Sequence, residues 1–108
     1  MRYLLILLPF ALLLSCQTTP QQDWPAESVT TKPWTRWWWM GNAVDDANIR
    51  TQLIAYHEAG LGGVEITPIY GAMGFEDLYI DYLSEEWMQR LQTVIHVADS
   101  LGMGVDMN

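Results

Sequence analysis

Apolar and polar residues alternate in three short segments of the chain and recur at helical spacing in two others. Residues 35–40 (TRWWWM) form an aromatic run between a proline and a glycine, a pattern typical of a buried strand. Residues 64–67 alternate apolar and polar side chains up to Pro68. Residues 104–108 begin a third such segment. The pattern therefore predicts three strands, with Pro68 ending the second.

The two segments between these strands have the apolar spacing of amphipathic helices. The first follows Asp45 and Asp46, either of which can cap a helix, and it ends at Gly60. The second follows Ser84 and ends at Gly102. Strand, helix, strand, helix, strand is the order of an α/β fold with parallel strands and right-handed crossovers.

We interpret this α/β order as the N-terminal part of an incomplete (β/α)8 TIM barrel. A whole barrel takes about 250 residues, whereas the chain has 108. A sequence that stops inside a strand is expected to be a fragment, truncated within its barrel, that does not fold stably alone.

The N-terminus has the layout of a lipoprotein signal peptide. Arg2 precedes an apolar stretch, residues 4–14, that is too short for a membrane-spanning helix, which takes about 20 residues. Leu13-Leu14-Ser15-Cys16 resembles a lipobox. The sequence therefore predicts a signal peptide over residues 1–15 and lipid on Cys16, which would hold the protein on a membrane. The alternative is an ordinary secretory signal with an incidental cysteine.

The residues after Cys16 predict a tether and a location. Residues 16–32 are rich in Gln, Thr and Pro, which favours a flexible tether and places the ordered domain at residues 33–108. Gln17 after the cysteine resembles the signal for outer-membrane sorting. We therefore expect a lipid-anchored protein of the cell envelope, in the outer membrane, facing the periplasm or the cell surface.

Charge and composition narrow the classes of partner. The chain has 13 acidic and 5 basic residues and a net charge of -8, which disfavours nucleic acid as a partner. A single cysteine excludes an internal disulfide. No glycine-rich phosphate loop, Cys/His metal spacing or nucleophilic serine motif occurs, so no metal ligand or catalytic residue is assigned from motifs.

Aromatic and polar residues at the predicted strand ends suggest a sugar site. Active sites of barrels lie at the C-terminal ends of strands, which selects Trp38, Trp39 and Asn42 after the first strand and Glu65 on the second. Tryptophan faces stack on sugar C–H surfaces, and carboxylates bind hydroxyl groups. Alternation with its apolar neighbours points Glu65 into the lumen of a barrel. Two alternatives remain, that the tryptophans fill the core and that Glu65 pairs with a buried arginine.

Other polar residues have weaker assignments. Thr67, Tyr70, Asp106 and Asn108 also fall at predicted strand ends. The histidines, His57 and His96, are expected on helix surfaces or between helices. The acidic loop residues, Glu76, Asp77 and Asp81, are expected either to be solvated or to line a cleft.

Two motifs resemble the start of glycoside hydrolase family 106, the α-L-rhamnosidases. They are KPWTRWWWMG at residues 32–41 and EAGLGGVEI at residues 58–66, and the likeness extends over residues 33–108. The resemblance implies a multidomain secreted enzyme with a (β/α)8 barrel and β-sandwich domains. It further implies hydrolysis of terminal α-L-rhamnose from plant glycans, with a glutamate acid and base and a Ca2+ ion. That catalytic pair would lie beyond Asn108, so the resemblance assigns none here.

The sequence therefore predicts a glycosidase, an α-L-rhamnosidase in its full-length form. The partners expected are an oligosaccharide or glycoside substrate and, through Cys16, a membrane. One alternative is a non-catalytic carbohydrate-binding lipoprotein, which would keep the aromatic residues without an acid and base. Another is a different barrel glycosidase, such as a β-galactosidase relative.

Overall fold

The structure, a computed structural model, describes residues 23–108, which form a three-stranded parallel sheet and two helices. The strands pair in the order β1-β2-β3. The elements are β1 (Trp34–Met40), α1 (Asp46–Glu58), β2 (Gly63–Ile69), α2 (Glu85–Leu101) and β3 (Gly104–Met107), with a 3₁₀ turn at Glu76–Leu78 before α2.

The predicted (β/α)8 barrel segment is wrong. The described residues form an α/β arrangement whose sheet is open, and within residues 23–108 β1 and β3 are its two edges. Alternation of strands and helices specifies only that the strands run parallel. Closure into a barrel requires a particular strand tilt and stagger around all eight strands, and a three-strand pattern does not encode that.

Side-chain caps define the starts of both helices, as the sequence predicts. The Asp45 carboxylate accepts a hydrogen bond from the Asn48 backbone N–H at 2.9 Å. The Ser84 hydroxyl accepts one from the Trp87 backbone N–H at 3.2 Å. Gly102 ends α2 with a left-handed φ of 65°.

Strand β2 continues through Pro68, where the sequence predicts that it ends. Pro68 pairs in register with Trp39 of β1, and β2 ends one residue later, at Ile69. The pairing of β2 with β3 stops earlier, at Ile66 and Met107. Because β3 does not pair with β2 at Pro68, the missing N–H of the proline breaks no hydrogen bond between these strands.

The core lies between the sheet and the two helices. Trp37 and Trp39 of β1 and Val64 and Ile66 of β2 are buried on this side of the sheet. Neighbouring aromatic rings contact one another edge to face, with centroids 5.0 to 5.9 Å apart. The series runs Tyr56, Trp37, Trp39, Trp87, Tyr82.

Trp34 covers the amino-terminal end of the opposite, helix-free face. Its ring lies over Gly63 and Gly104, and a Cβ atom at Gly104 would come within 2.2 Å of that ring. The indole Nε1 donates a hydrogen bond to the Val29 carbonyl at 3.0 Å. Residues 28–32, part of the predicted tether, are therefore a hydrogen-bonded turn against this ring.

The predicted signal peptide and Cys16 lie outside the described residues. Within residues 23–108, neither helix has the length and hydropathy that a membrane span requires.

Candidate functional site

The helix-free face of the sheet carries a row of three charged side chains. Arg36, Glu65 and Asp106 are register partners on β1, β2 and β3. Side chains of register partners project to the same face. The Arg36 guanidinium Nη2 lies 3.3 Å from Glu65 Oε1, and the two side chains are 54% and 29% exposed. The row therefore presents one positive and two negative groups to solvent.

Trp38 lies in the next row toward the carboxyl ends of the strands. Its side chain is 62% exposed, whereas its neighbours Trp37 and Trp39 are buried. Thr67 is its register partner on β2. The backbone N–H of Asn108 donates to the Ile66 carbonyl at 3.2 Å, which places Asn108 beside Thr67 at the end of β3. An exposed indole thus adjoins the charged row.

Glu65 lies on the face that alternation predicts, opposite the buried Val64 and Ile66. That face is an open sheet surface and not the lumen of a barrel. Its partner Arg36 is exposed, so the buried arginine considered above is not what Glu65 contacts. Asp106 Oδ1 accepts the Met107 backbone N–H at 2.8 Å, which turns one carboxylate oxygen toward the chain.

The structure places Trp39 and Asn42, both predicted to bind substrate, in the interior. Trp39 is fully buried between the sheet and α2, in contact with Trp87. Asn42 is 7% exposed, and its amide donates to the Ile80 carbonyl at 3.1 Å and accepts from Trp87 Nε1 at 3.0 Å. These contacts join the end of β1 to the β2–α2 loop and to α2, which is a structural role.

A cleft of about 440 Å³ opens at the carboxyl ends of the three strands. Ligands of open α/β sheets bind at this edge where the strand order reverses, and the described strands, in the order β1-β2-β3, contain no reversal. Tyr70 and Tyr82 supply two aromatic rings, 85% and 54% exposed. None of the described residues that line the cleft is charged; they are Asn42, Pro68, Ile69, Tyr70, Tyr82 and Asn108.

The loop beside the cleft, residues 70–83, is held down by Tyr79. The Tyr79 ring lies against Gly41 and Gly71, where an added Cβ would come within 2.4 Å and 1.8 Å of it. Burial, together with the nearby Glu76 carboxylate, raises the pKa of Tyr79. The backbone N–H of Gly74 donates to Glu76 and lowers the pKa of that carboxyl group. The Tyr79 hydroxyl donates a hydrogen bond to the Ala72 carbonyl.

The acidic loop residues are divided between solvent and a second groove. Asp81 lines a groove of about 650 Å³ together with Glu85 and Glu86 at the start of α2. Glu76 and Asp77 are exposed and do not line it. His57 and His96 are exposed on the helices.

The structure does not identify ligands for the Ca2+ ion that the resemblance implies. Calcium takes six to eight oxygen ligands, and residues 23–108 contain no group of three or more His, Cys, Asp or Glu side chains placed to hold a metal ion. Glu65, beside Asp106 in the charged row, is already paired with Arg36. The Ca2+ ion that the resemblance implies stays a prediction without assigned ligands.

The sequence pattern identified Trp38 and Glu65, which lie on the helix-free face. It did not identify Pro68, Ile69 and Tyr82, which line the cleft. Tyr82 lies 12 residues beyond Tyr70 in a loop, and no periodic pattern links the two. Comparison with known proteins adds no assignment, because no family model and no curated protein matches the chain. The resemblance to the α-L-rhamnosidases thus stays a prediction based on the two motifs.

Proposed function

We propose that this chain binds carbohydrate on the helix-free face of its sheet, as the recognition part of a glycoside hydrolase. The observation that supports the proposal best is the exposed ring of Trp38 next to the Arg36–Glu65 pair. An indole offers a flat apolar surface to the C–H groups of a sugar ring. The guanidinium and carboxylates one row away can donate to and accept from its hydroxyl groups.

The charged row is suited to exchanging partners with a ligand. An exposed ion pair such as Arg36–Glu65 contributes only about 0–1 kcal/mol to stability, so the two groups lose little when they turn to a ligand. A hydrogen bond to an ionised group contributes about 1.5–3 kcal/mol when the ligand excludes water. Sugar hydroxyl groups can therefore compete with the pair.

Hydrolysis of the bound glycoside is the second part of the proposal, and the motif resemblance makes a terminal α-L-rhamnoside the first substrate to test. Glycosidases need two carboxyl groups across the scissile bond. Glu65 is paired with Arg36, and one oxygen of Asp106 is bound to the backbone. We therefore assign binding, and not acid–base chemistry, to these two residues. A lipid on Cys16 would hold the protein at the outer membrane.

The test is the Trp38→Ala variant of the full-length protein, with Trp24→Ala as its matched control. Trp24 is 92% exposed and precedes β1 in the chain. A stacking contact with the ring contributes about 0.5–1.5 kcal/mol of binding free energy. Its loss in Trp38→Ala should therefore weaken the affinity for methyl α-L-rhamnoside about two- to tenfold. Trp24→Ala should bind as the wild type does. Equal affinity of both variants and the wild type, by calorimetry, would remove Trp38 from the site.

Glu65→Gln tests the hydrolytic part of the proposal. The exchange is nearly isosteric, and it should lower kcat/KM on an aryl α-L-rhamnoside about ten- to a hundredfold through the lost charge-assisted hydrogen bond. Its thermal midpoint should stay close to that of the wild type because the ion pair is exposed. If the wild type has no hydrolytic activity and Trp38→Ala loses sugar binding, the non-catalytic carbohydrate-binding alternative is supported.

A further inference from the structure

The charged row on the helix-free face has one negative charge in excess. Arg36 and Glu65 neutralise each other across 3.3 Å, whereas Asp106 forms no salt bridge within residues 23–108. Its Oδ1 accepts the Met107 backbone N–H at 2.8 Å, and a neutral N–H donor leaves the carboxylate ionised. The exposed Asp106 is therefore the group that sets the sign of the charge in this row.

The other basic residues of the described part of the chain are placed away from Asp106. Lys32 lies beside Gly62, at the amino-terminal end of the strands. Arg50 and Arg90 belong to α1 and α2, which cover the opposite face of the sheet. Exposed charges farther apart than about 8 Å are largely screened at physiological salt. The negative charge of Asp106 thus acts locally on the helix-free face.

A sugar stacked on Trp38 lies within range of this charge. Trp38 is two residues beyond the charged row along β1, and Asp106 lies on β3, two strands away. At the usual rise per residue and the usual strand spacing, their Cα atoms are about 12 Å apart, and both side chains project from the same face. A pyranose ring on the indole fills part of that distance, which leaves about 5–8 Å to the carboxylate.

We infer that Asp106 makes this sugar site selective by charge. A sugar that carries a protonated amine binds more tightly than a neutral sugar, and a sugar that carries a carboxylate binds least tightly. The inference rests on the proposed function, and it specifies the ligands as neutral and amino sugars and excludes uronic acids. At the stated range, on a surface exposed to water, one unit charge changes the affinity about two- to tenfold in either direction.

The experiment measures the affinity of the full-length protein for four methyl glycosides by calorimetry. They differ only in the group at C6: methyl α-L-rhamnoside carries hydrogen, methyl α-L-mannoside a hydroxyl group, methyl 6-amino-6-deoxy-α-L-mannoside an amine, and methyl α-L-mannosiduronate a carboxylate. The wild type should bind the amine about two- to tenfold more tightly than the hydroxyl probe, and the carboxylate about two- to tenfold more weakly. Because an indole face also attracts a cation, variants of Asp106 must separate the two causes.

The ratio of amine to hydroxyl affinity is the measurement that identifies Asp106. Asp106→Asn removes the charge and keeps an oxygen that can accept the Met107 N–H, so the ratio should fall about two- to tenfold. Asp106→Glu keeps the charge and should keep the ratio. Asp99→Asn, at an exposed aspartate of α2, changes the net charge equally and should leave the ratio unchanged. In about 1 M NaCl, where the Debye length is about 3 Å, the wild-type ratio should also fall.

The outcomes separate the two proposals. If neither neutral glycoside binds to the wild type, or if Trp38→Ala leaves their affinities unchanged, the proposed function fails and the selectivity fails with it. If both bind through Trp38 but the amine, hydroxyl and carboxylate probes bind equally, only the selectivity is refuted. A ratio that survives Asp106→Asn, or that Asp99→Asn lowers as much, refutes the role of Asp106. If Asp106→Asn does not fold, a wild-type ratio that high salt leaves unchanged refutes the charge effect.

Discussion

Replacing Asn42 with alanine should destabilise the protein more than any surface change. The Asn42 amide donates to the Ile80 carbonyl at 3.1 Å and accepts from Trp87 Nε1 at 3.0 Å. Trp87 is fully buried, so its indole N–H would lose its partner where water does not reach it. Each buried polar group left unpaired costs about 1–3 kcal/mol. Both losses arise from one side chain.

The backbone at Asn42 adds a second contribution. Its φ is 53°, in the left-handed region, where asparagine is tolerated and a residue such as alanine pays about 1–2 kcal/mol. Together with the two hydrogen-bonding groups, the expected loss for Asn42→Ala is about 3–8 kcal/mol, a large part of a typical domain stability of about 5–15 kcal/mol.

Urea unfolding of the full-length protein, monitored by tryptophan fluorescence, measures this loss of stability. Two further variants separate the hydrogen-bond contribution from the backbone strain and from the effect of a surface change. Asn42→Gly removes the same hydrogen bonds without the backbone strain, so it should be about 1 kcal/mol more stable than Asn42→Ala. Asn48→Ala, a change at an exposed asparagine, should cost less than about 1 kcal/mol. If Asn42→Ala and Asn48→Ala unfold at the same urea concentration, Asn42 does not join β1 to α2 in the way described.

Two other predictions concern a pKa and the lipid. The Thr93 hydroxyl donates to the Asp46 carboxylate at 2.9 Å and holds the pKa of that carboxyl group below its ordinary value. The stabilisation is therefore present above about pH 4 and is lost as the pH falls through the lowered value. Asp46→Asn should lower the thermal midpoint at pH 7 and match the wild type in strong acid; a pH-independent difference would contradict the charge argument. In a bacterium fed labelled fatty acid, the wild type should incorporate label into the membrane fraction and Cys16→Ser should not, and label in the variant would refute the anchor.

The helix ends were predictable from the sequence because their signals are local. Asp45, Ser84 and Gly102 each act within one turn of their own helix, and all three cap or end a helix in the structure. Alternation likewise predicts that Glu65 lies opposite its apolar neighbours, as it does. It also puts Trp37 and Trp39 on the same face, but it does not say which face the helices cover.

The contacts that were not predictable join residues far apart in the chain. Asn42 and Trp87 are hydrogen-bonded across 45 positions, and Arg36 meets Glu65 across 29. Both contacts depend on the register of the sheet and on the path of the β2–α2 loop, which no short pattern encodes. The same limit explains the wrong barrel prediction, because sheet closure is a property of all the strands together.

The exposure of Trp38 follows from the alternation of side chains along β1 together with the side of the sheet that the helices cover. Sequence composition alone left each of the three consecutive tryptophans equally suited to the core or to a ligand. In the structure, Trp37 and Trp39 belong to the core and are not available to a ligand. Trp37 lies beside its register partner Ile66, and Trp39 contacts Trp87 of α2. Trp38 lies on the face that carries the Arg36–Glu65 pair. A large aromatic ring left in water beside charged groups loses apolar burial that the fold could otherwise gain, and a ligand that stacks on the ring restores that burial.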